Sequence, residues 1–274
     1  MTRLQMIARA AAAPLGAMLA IGVVACGSGA TARAPSDPAG LPADAVARVG
    51  AVTITRATLA HEMATIFGGD YFEITQRVEP GGLVAEPANP RACSAELKRL
   101  VVARIAPGGS LTTSQRAHLC AQLHEAIKRQ ALEALLADQW SIGVDGEQGV
   151  HVDDAQVKRA LERIVAREFR TQAAFRAYLT EHRWSIGDEQ LLVRMDLLAA
   201  AVGRRIAAPG GGRVQAALVR AAASWTARTS CAPGYVVARC RQFRAGAQGS
   251  APPPAALIER IASPPRAAED PGDS

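Results

Sequence analysis

Four cysteines set the tightest limit on what this chain can fold into: Cys93, Cys120, Cys231 and Cys240, all downstream of residue 40. Forming two disulfides, they allow three connectivities, and such bonds persist only in an oxidising compartment. The parsimonious pairing joins near neighbours, Cys93 to Cys120 and Cys231 to Cys240. In a chain-entropy account these loops stabilise by roughly 3–4 and 2–3 kcal/mol respectively, before strain. No Cys-x-x-Cys spacing and no histidine cluster accompanies them. A zinc site is therefore not expected, and the alternative of a catalytic thiol pair lacks the usual two-residue spacing at a helix start. All four are read as structural.

The compartment is addressed by the first residues. Arg3 and Arg9 stand without an acidic neighbour, and an apolar, Ala-rich run follows from Ala10 to Ala25. That is a charged segment followed by the apolar stretch of a secretory signal. It ends in Val23-Val24-Ala25-Cys26-Gly27, which resembles a bacterial lipobox, with Val23 a less typical residue at its first position. The Cys26 thiol would receive a diacylglyceryl group, and two or three acyl chains suffice for stable anchoring. The alternatives are an ordinary signal peptide with an incidental cysteine, or a single transmembrane anchor. Against the latter, the run is short for a span of ~20 residues. The spacer 26–40 is rich in Ser, Gly, Pro and Ala and reads as a flexible tether. The tail 245–274 has the same character, with Pro252, Pro253, Pro254, Pro264 and Pro265, and is expected to be disordered. The folded part is thus expected over residues 41–244, enough for one domain with its own core. It would stand outside the cytoplasm, on the outer face of the cytoplasmic membrane or the periplasmic side of the envelope.

Aromatic residues make up only 4% of the chain, so its core should be helix-on-helix packing of Ala, Leu, Val and Ile. Lysine plus arginine total 31 against 25 acidic residues. Loss of residues 1–25 removes Arg3 and Arg9 and leaves 29 against 25, too mild an excess for a nucleic-acid footprint.

Along the chain, Val46–Thr55 alternates about Gly50 as a short hairpin or bent strand, and Thr55 caps a helix to about Phe67 through Leu59, Met63 and Ile66. Helical spacing returns over Cys93–Ile105. A Thr112/Gln115 capping box then opens a long helix, Thr113 to Trp140. Asp153/Gln156 opens a helix to Phe169, Thr171 one over Gln172–His182, and Ser185/Asp188 one to about Ala208. Pro209 to Gly212 reads as a hinge before a last helix, Val214–Ala227. Between Cys231 and Cys240, the Pro233-Gly234 turn and Tyr235–Val237 predict a small disulfide-closed hairpin. The fold class is mainly α, a helical bundle with a short N-terminal β-element and that C-terminal hairpin.

The opening Val46-Ala-Arg-Val-Gly-Ala-Val-Thr-Ile-Thr-Arg-Ala-Thr-Leu-Ala-His61 resembles the start of SurA-like and PrsA-like extracytoplasmic foldases, in which a valine-rich strand leads into a helix. Gly50-Ala51-Val52 departs from that family's usual Asn-Gly turn. Val150-His-Val-Asp-Asp-Ala-Gln-Val157 is similar to a second helix start of the family. Phe169 to Leu198 matches its short Phe/Tyr helix followed by Asp188-Glu-Gln-Leu-Leu-Val-Arg-Met-Asp-Leu-Leu. The resemblance spans about Ala45 to Ile206. It implies a helical cradle that binds unfolded or nascent exported polypeptides without ATP or any other cofactor. The parvulin isomerase domain that follows in PrsA-like proteins has no counterpart after Ile206.

No phosphate-cradling loop, nucleophile elbow or His-Glu-x-x-His is present. The histidines His61, His118, His124, His151 and His182 are scattered, mostly on polar helix faces, and are read as exposed helix residues rather than catalysts. The pairs Asp153-Asp154 and Asp188-Glu189 stand at helix starts, where they complement the dipole. No catalytic, metal-binding or cofactor-binding residue is assigned. The leading expectation is therefore a membrane-tethered holding chaperone. A peptidyl-prolyl isomerase and a structural envelope lipoprotein with one fixed partner are the alternatives.

Overall fold

The structure, a computed structural model, describes residues 40–70, 81–100, 111–147, 149–208 and 211–244. The leader, Cys26, the tether up to residue 39 and the tail 245–274 lie outside the described residues, which all belong to the unit beginning at Ser36.

The chain enters through two antiparallel strands, β1 (Ala45–Val49) and β2 (Val52–Thr55), joined at Gly50 with φ 57. Thr55 accepts the Thr58 amide and starts α1 (Arg56–Asp70). Next come α2 (Pro90–Leu100) and α3 (Thr113–Glu147), followed by α4 (Asp154–Ile164) and a π-helical turn (Val165–Phe169). The chain continues through α5 (Gln172–Glu181), α6 (Ile186–Ala207) and α7 (Gly211–Ala227) to a last strand, β3 (Thr229–Cys231). The fold is mainly helical, as the apolar spacing predicts.

The sheet has order β2-β1-β3, with Ala47 opposite Ile54 on one side and Cys231 on the other. β1 is central because Val46, Ala47 and Val49 are buried. The C-terminal strand lies before the Cys231–Cys240 loop, not at Tyr235–Val237. Once Thr229–Cys231 has paired with β1, the loop closes as turns, with Tyr235 donating to Ala232 O and Cys240 to Val237 O. Gly234, at φ 82, supplies the reversal predicted for Pro233-Gly234.

Two apolar cores result. The first gathers Val46, Leu59, Met63, Phe67, Leu97, Ile127, Leu132 and Leu136 beneath the sheet, together with both disulfides. The second is smaller: Val157, Leu161, Val165, Phe175, Leu179 and Val193 join α4, α5 and α6 into a separate lobe. Among the described residues, the extensive helix contacts from this lobe to α3 and α7 are made by α6.

Besides α1 running on to Asp70 and α2 beginning at Pro90, the boundaries differ from those expected in three further places. α3 runs on past Trp140 to Glu147, 35 residues in all, or about 52 Å at 1.5 Å per residue. Gly143 lies within it against the Trp225 indole. The helix beginning at Asp154 is α-helical only to Ile164, and its last five residues widen into the π turn. Gly211 and Gly212, read as hinge, belong to the first turn of α7. The capping boxes at Asp153/Gln156 and Ser185/Asp188 form as read, and Thr112 and Gln115 exchange the same pair of bonds.

Candidate functional site

The four cysteines pair as the parsimonious reading predicts. Cys93–Cys120 ties α2 to α3 with Cα atoms 6.0 Å apart, and Cys231–Cys240 closes the last loop at 5.8 Å, both within the span a disulfide bridges. Cys26 lies outside the described residues. His61, His118 and His151 are exposed and His182 half-buried. His124 is a correction: it is buried, because it shares the inner stripe of α3 with Cys120, Leu123 and Ile127. Glu189 stands in the first turn of α6 beside Asp188, as read, and is buried at 1% exposure.

Two ionisable clusters form in the tertiary structure. The first stands where α1, α3 and the start of α6 converge. His61 Nε2 lies 2.9 Å from both Asp188 carboxylate oxygens. Asp188 also serves as the capping-box residue of α6, accepting the Ser185 amide at 2.6 Å and its hydroxyl at 2.8 Å. Next to His61, half-buried Glu62 faces Asp138 of α3. Burial, reinforced by Asp138 and Asp188, pushes the Glu62 carboxyl up to about 7. Burial likewise raises Asp138 to about 6, with Arg239 pulling the other way. Asp188 moves down: against the push of burial, the Ser185 bonds and His61 favour its ionised form.

The second cluster is bolted into the first core. Tyr235 donates to Glu86 at 2.5 Å, and Arg56 donates to the Tyr235 oxygen at 3.0 Å. His124 Nε2 lies 3.3 Å from Glu86, both side chains being nearly inaccessible. The Arg56 guanidinium and Lys128 ammonium sit 5.5 and 5.3 Å from the Tyr235 ring centroid. Burial lowers His124 below its ordinary value, against the opposing pull of Glu86. Burial and then Glu86 push the Tyr235 phenol up to about 12. A neutral imidazole and a phenol this hard to ionise provide hydrogen bonds, not a base near neutral pH. The cluster joins α1, the Glu86 loop, α3 and the C-terminal loop. Beside it, a pocket of about 220 Å³ is lined by Glu125, Lys128, Leu132, Tyr235 and Val237.

The second lobe carries a cluster of rings. Phe169 packs at 5.2 Å from Phe175 and 5.0 Å from Tyr178, and Tyr178 lies 4.2 Å from His182 and 6.2 Å from Trp184. Phe169, Tyr178 and Trp184 are only partly covered. On the same lobe, Ile186 and Leu192 of α6 are 49% and 37% exposed. Phe169 is the last residue of the π turn and meets two rings of α5.

Among the described residues, no group of three or more His, Cys, Asp or Glu side chains is placed to hold a metal ion. No described helix is long and apolar enough to cross a membrane. Comparison with protein-family models, with curated proteins and with solved structures found no match.

Proposed function

We propose that this chain is a lipid-anchored extracytoplasmic protein of the SurA-like type that holds unfolded exported polypeptides without ATP. The observation that carries the reading is the second lobe, whose core is small and whose Phe169, Tyr178 and Trp184 rings are incompletely covered. An unfolded segment laid across those rings would gain on the order of a few kcal/mol of apolar burial before association costs. That gain suits weak, reversible holding. The leader ending at Cys26 and the two disulfides support an oxidising location outside the cytoplasm. The strand-to-helix opening at Val46–His61 supports the family resemblance.

The test is light scattering of a denatured client with and without the mature protein, beside a protease-coupled proline isomerisation assay. Suppressed aggregation is expected, weakened by replacing Phe169 and Tyr178 with alanine, with no isomerase activity above background. Holding needs only preferential affinity for the unfolded chain, whereas isomerisation needs a pocket that stabilises a twisted X–Pro amide against a barrier of ~18–20 kcal/mol. Isomerase activity abolished by changing one histidine would replace the holding reading with the enzymatic one. No effect on aggregation at several-fold excess would instead favour an envelope lipoprotein with one fixed partner.

A further inference from the structure

We propose that the meeting point of α1, α3 and the first turn of α6 is a proton-operated latch that holds the second lobe against the first. Three observations carry it, none of which depends on what the lobe binds. Among the described residues, the lobe makes its extensive helix contacts with the rest of the protein through α6. The side-chain bond from α1 to that helix is His61 to Asp188, with both carboxylate oxygens at 2.9 Å. Asp188 is also the residue that caps α6, so the latch and the helix start share one carboxylate.

The groups around the latch decide its direction. Glu62 faces Asp138 from α3, Asp188 from α6 and its own neighbour His61. Asp138 faces Arg239 of the C-terminal loop, which is itself paired with Glu133 of α3. Glu189, beside Asp188, is buried in the same turn. Three carboxylates from three helices therefore converge, with His61 and Arg239 as the neighbouring basic side chains.

Glu62 rises from 4.5 to about 7, and Asp138 from 3.8 to about 6. For a raised carboxyl the closed arrangement binds the proton more tightly than the open one. Its contribution is full below the ordinary value and lost as pH rises through the raised one. Below about 6 both groups are protonated and Asp188 remains ionised, bonded to His61 and free of their repulsion. Above about 7 the ionised Glu62 repels Asp188 and Asp138. The latch tightens on acidification and loosens toward alkaline pH. On an exported protein it would respond to the pH of the surroundings.

Hydrogen exchange of the full mature chain, corrected for the intrinsic pH dependence of amide exchange, reads the latch directly. Amides of α4, α5 and α6 should be about tenfold better protected near pH 5.5 than near pH 8, the effect of about one pKa unit after solvent screening. Those of α2 and of α3 before Asp138 should not change. Glu62→Gln should keep the lobe protected at the higher pH and so abolish the difference. His61→Gln, at an exposed position that leaves both cores intact, should reduce protection at the lower pH. Equal protection of the lobe at both pH values would overturn the proposal, as would an unchanged difference in either variant.

Discussion

The Trp225 indole occupies the space that any side chain at Gly143 would need: a Cβ built there falls 2.1 Å from Trp225 Cζ2. The same ring lies 3.5 Å from where a Cβ on Gly50 would stand, and the Arg228 guanidinium stacks 4.0 Å from its centroid. Arg228 in turn bonds Glu147 at 2.7 Å. One side chain of α7 thus fastens the β1–β2 turn and the far end of α3.

Gly143→Ala should therefore destabilise the protein, even though alanine is the better helix former. Overpacking costs about 1–3 kcal/mol and outweighs the gain of up to about 1 kcal/mol in propensity. Urea unfolding measures the change. Combining Gly143→Ala with Trp225→Ala should cost less than the sum of the single changes, because the clash is then gone. Strict additivity would show that the two residues do not meet.

The extent of α3 illustrates what the sequence could not reveal. The apolar spacing leads only to about Trp140, and only a ring from far along the chain shows why position 143 has room for no side chain. Features written in neighbouring residues were legible. The Asp153/Gln156 and Ser185/Asp188 boxes form from side chains three positions apart, and Cys120 reaches Cys93 from an adjacent helix. The Glu62–Asp138–Asp188 junction was not legible, since it exists only after three distant helices pack. His124 is intermediate: its i, i+4 relation to Cys120 placed it on the inner stripe of α3, but its polarity argued for the outside. Its partner Glu86 comes from a loop without periodicity.

The two disulfides should differ in weight. Their partners are 27 and 9 residues apart, so in the chain-entropy account the longer loop contributes roughly 1 kcal/mol more. Replacing Cys93 and Cys120 together by alanine should lower the urea midpoint further than replacing Cys231 and Cys240. The second pair should matter locally, loosening β3 and the turn that carries Tyr235. The reverse order would mean that loop closure is not the dominant contribution of these bonds.

Tyr235→Phe removes a hydroxyl that accepts from Arg56 and donates to Glu86. Leaving Glu86 buried without that donor should cost about 1–3 kcal/mol near neutral pH. The phenol rises from 10 to about 12, so its contribution is full below pH 10 and is lost as pH rises through about 12. Ultraviolet titration should show one tyrosine of the chain's three ionising only near that upper value, and Tyr235→Phe should delete that late step. A chain whose tyrosines all ionise together near 10 would remove the Glu86 contact from the account.

Cys26→Ala should leave the folded unit unchanged and release it from membranes. The proposed attachment has two possible sources, the leader itself or lipid on Cys26. These two sources predict different fates for the variant. If lipid is the anchor, a protein without the thiol cannot receive acyl chains, and the polar tether after it offers no apolar area to retain it. If instead residues 10–25 form an uncleaved anchor, the variant stays with the membrane at its full precursor mass, and the lipobox reading fails. Fractionation followed by mass measurement separates the cases. Circular dichroism and the urea midpoint of any released protein should match those of the wild-type chain, because Cys26 lies upstream of both apolar cores.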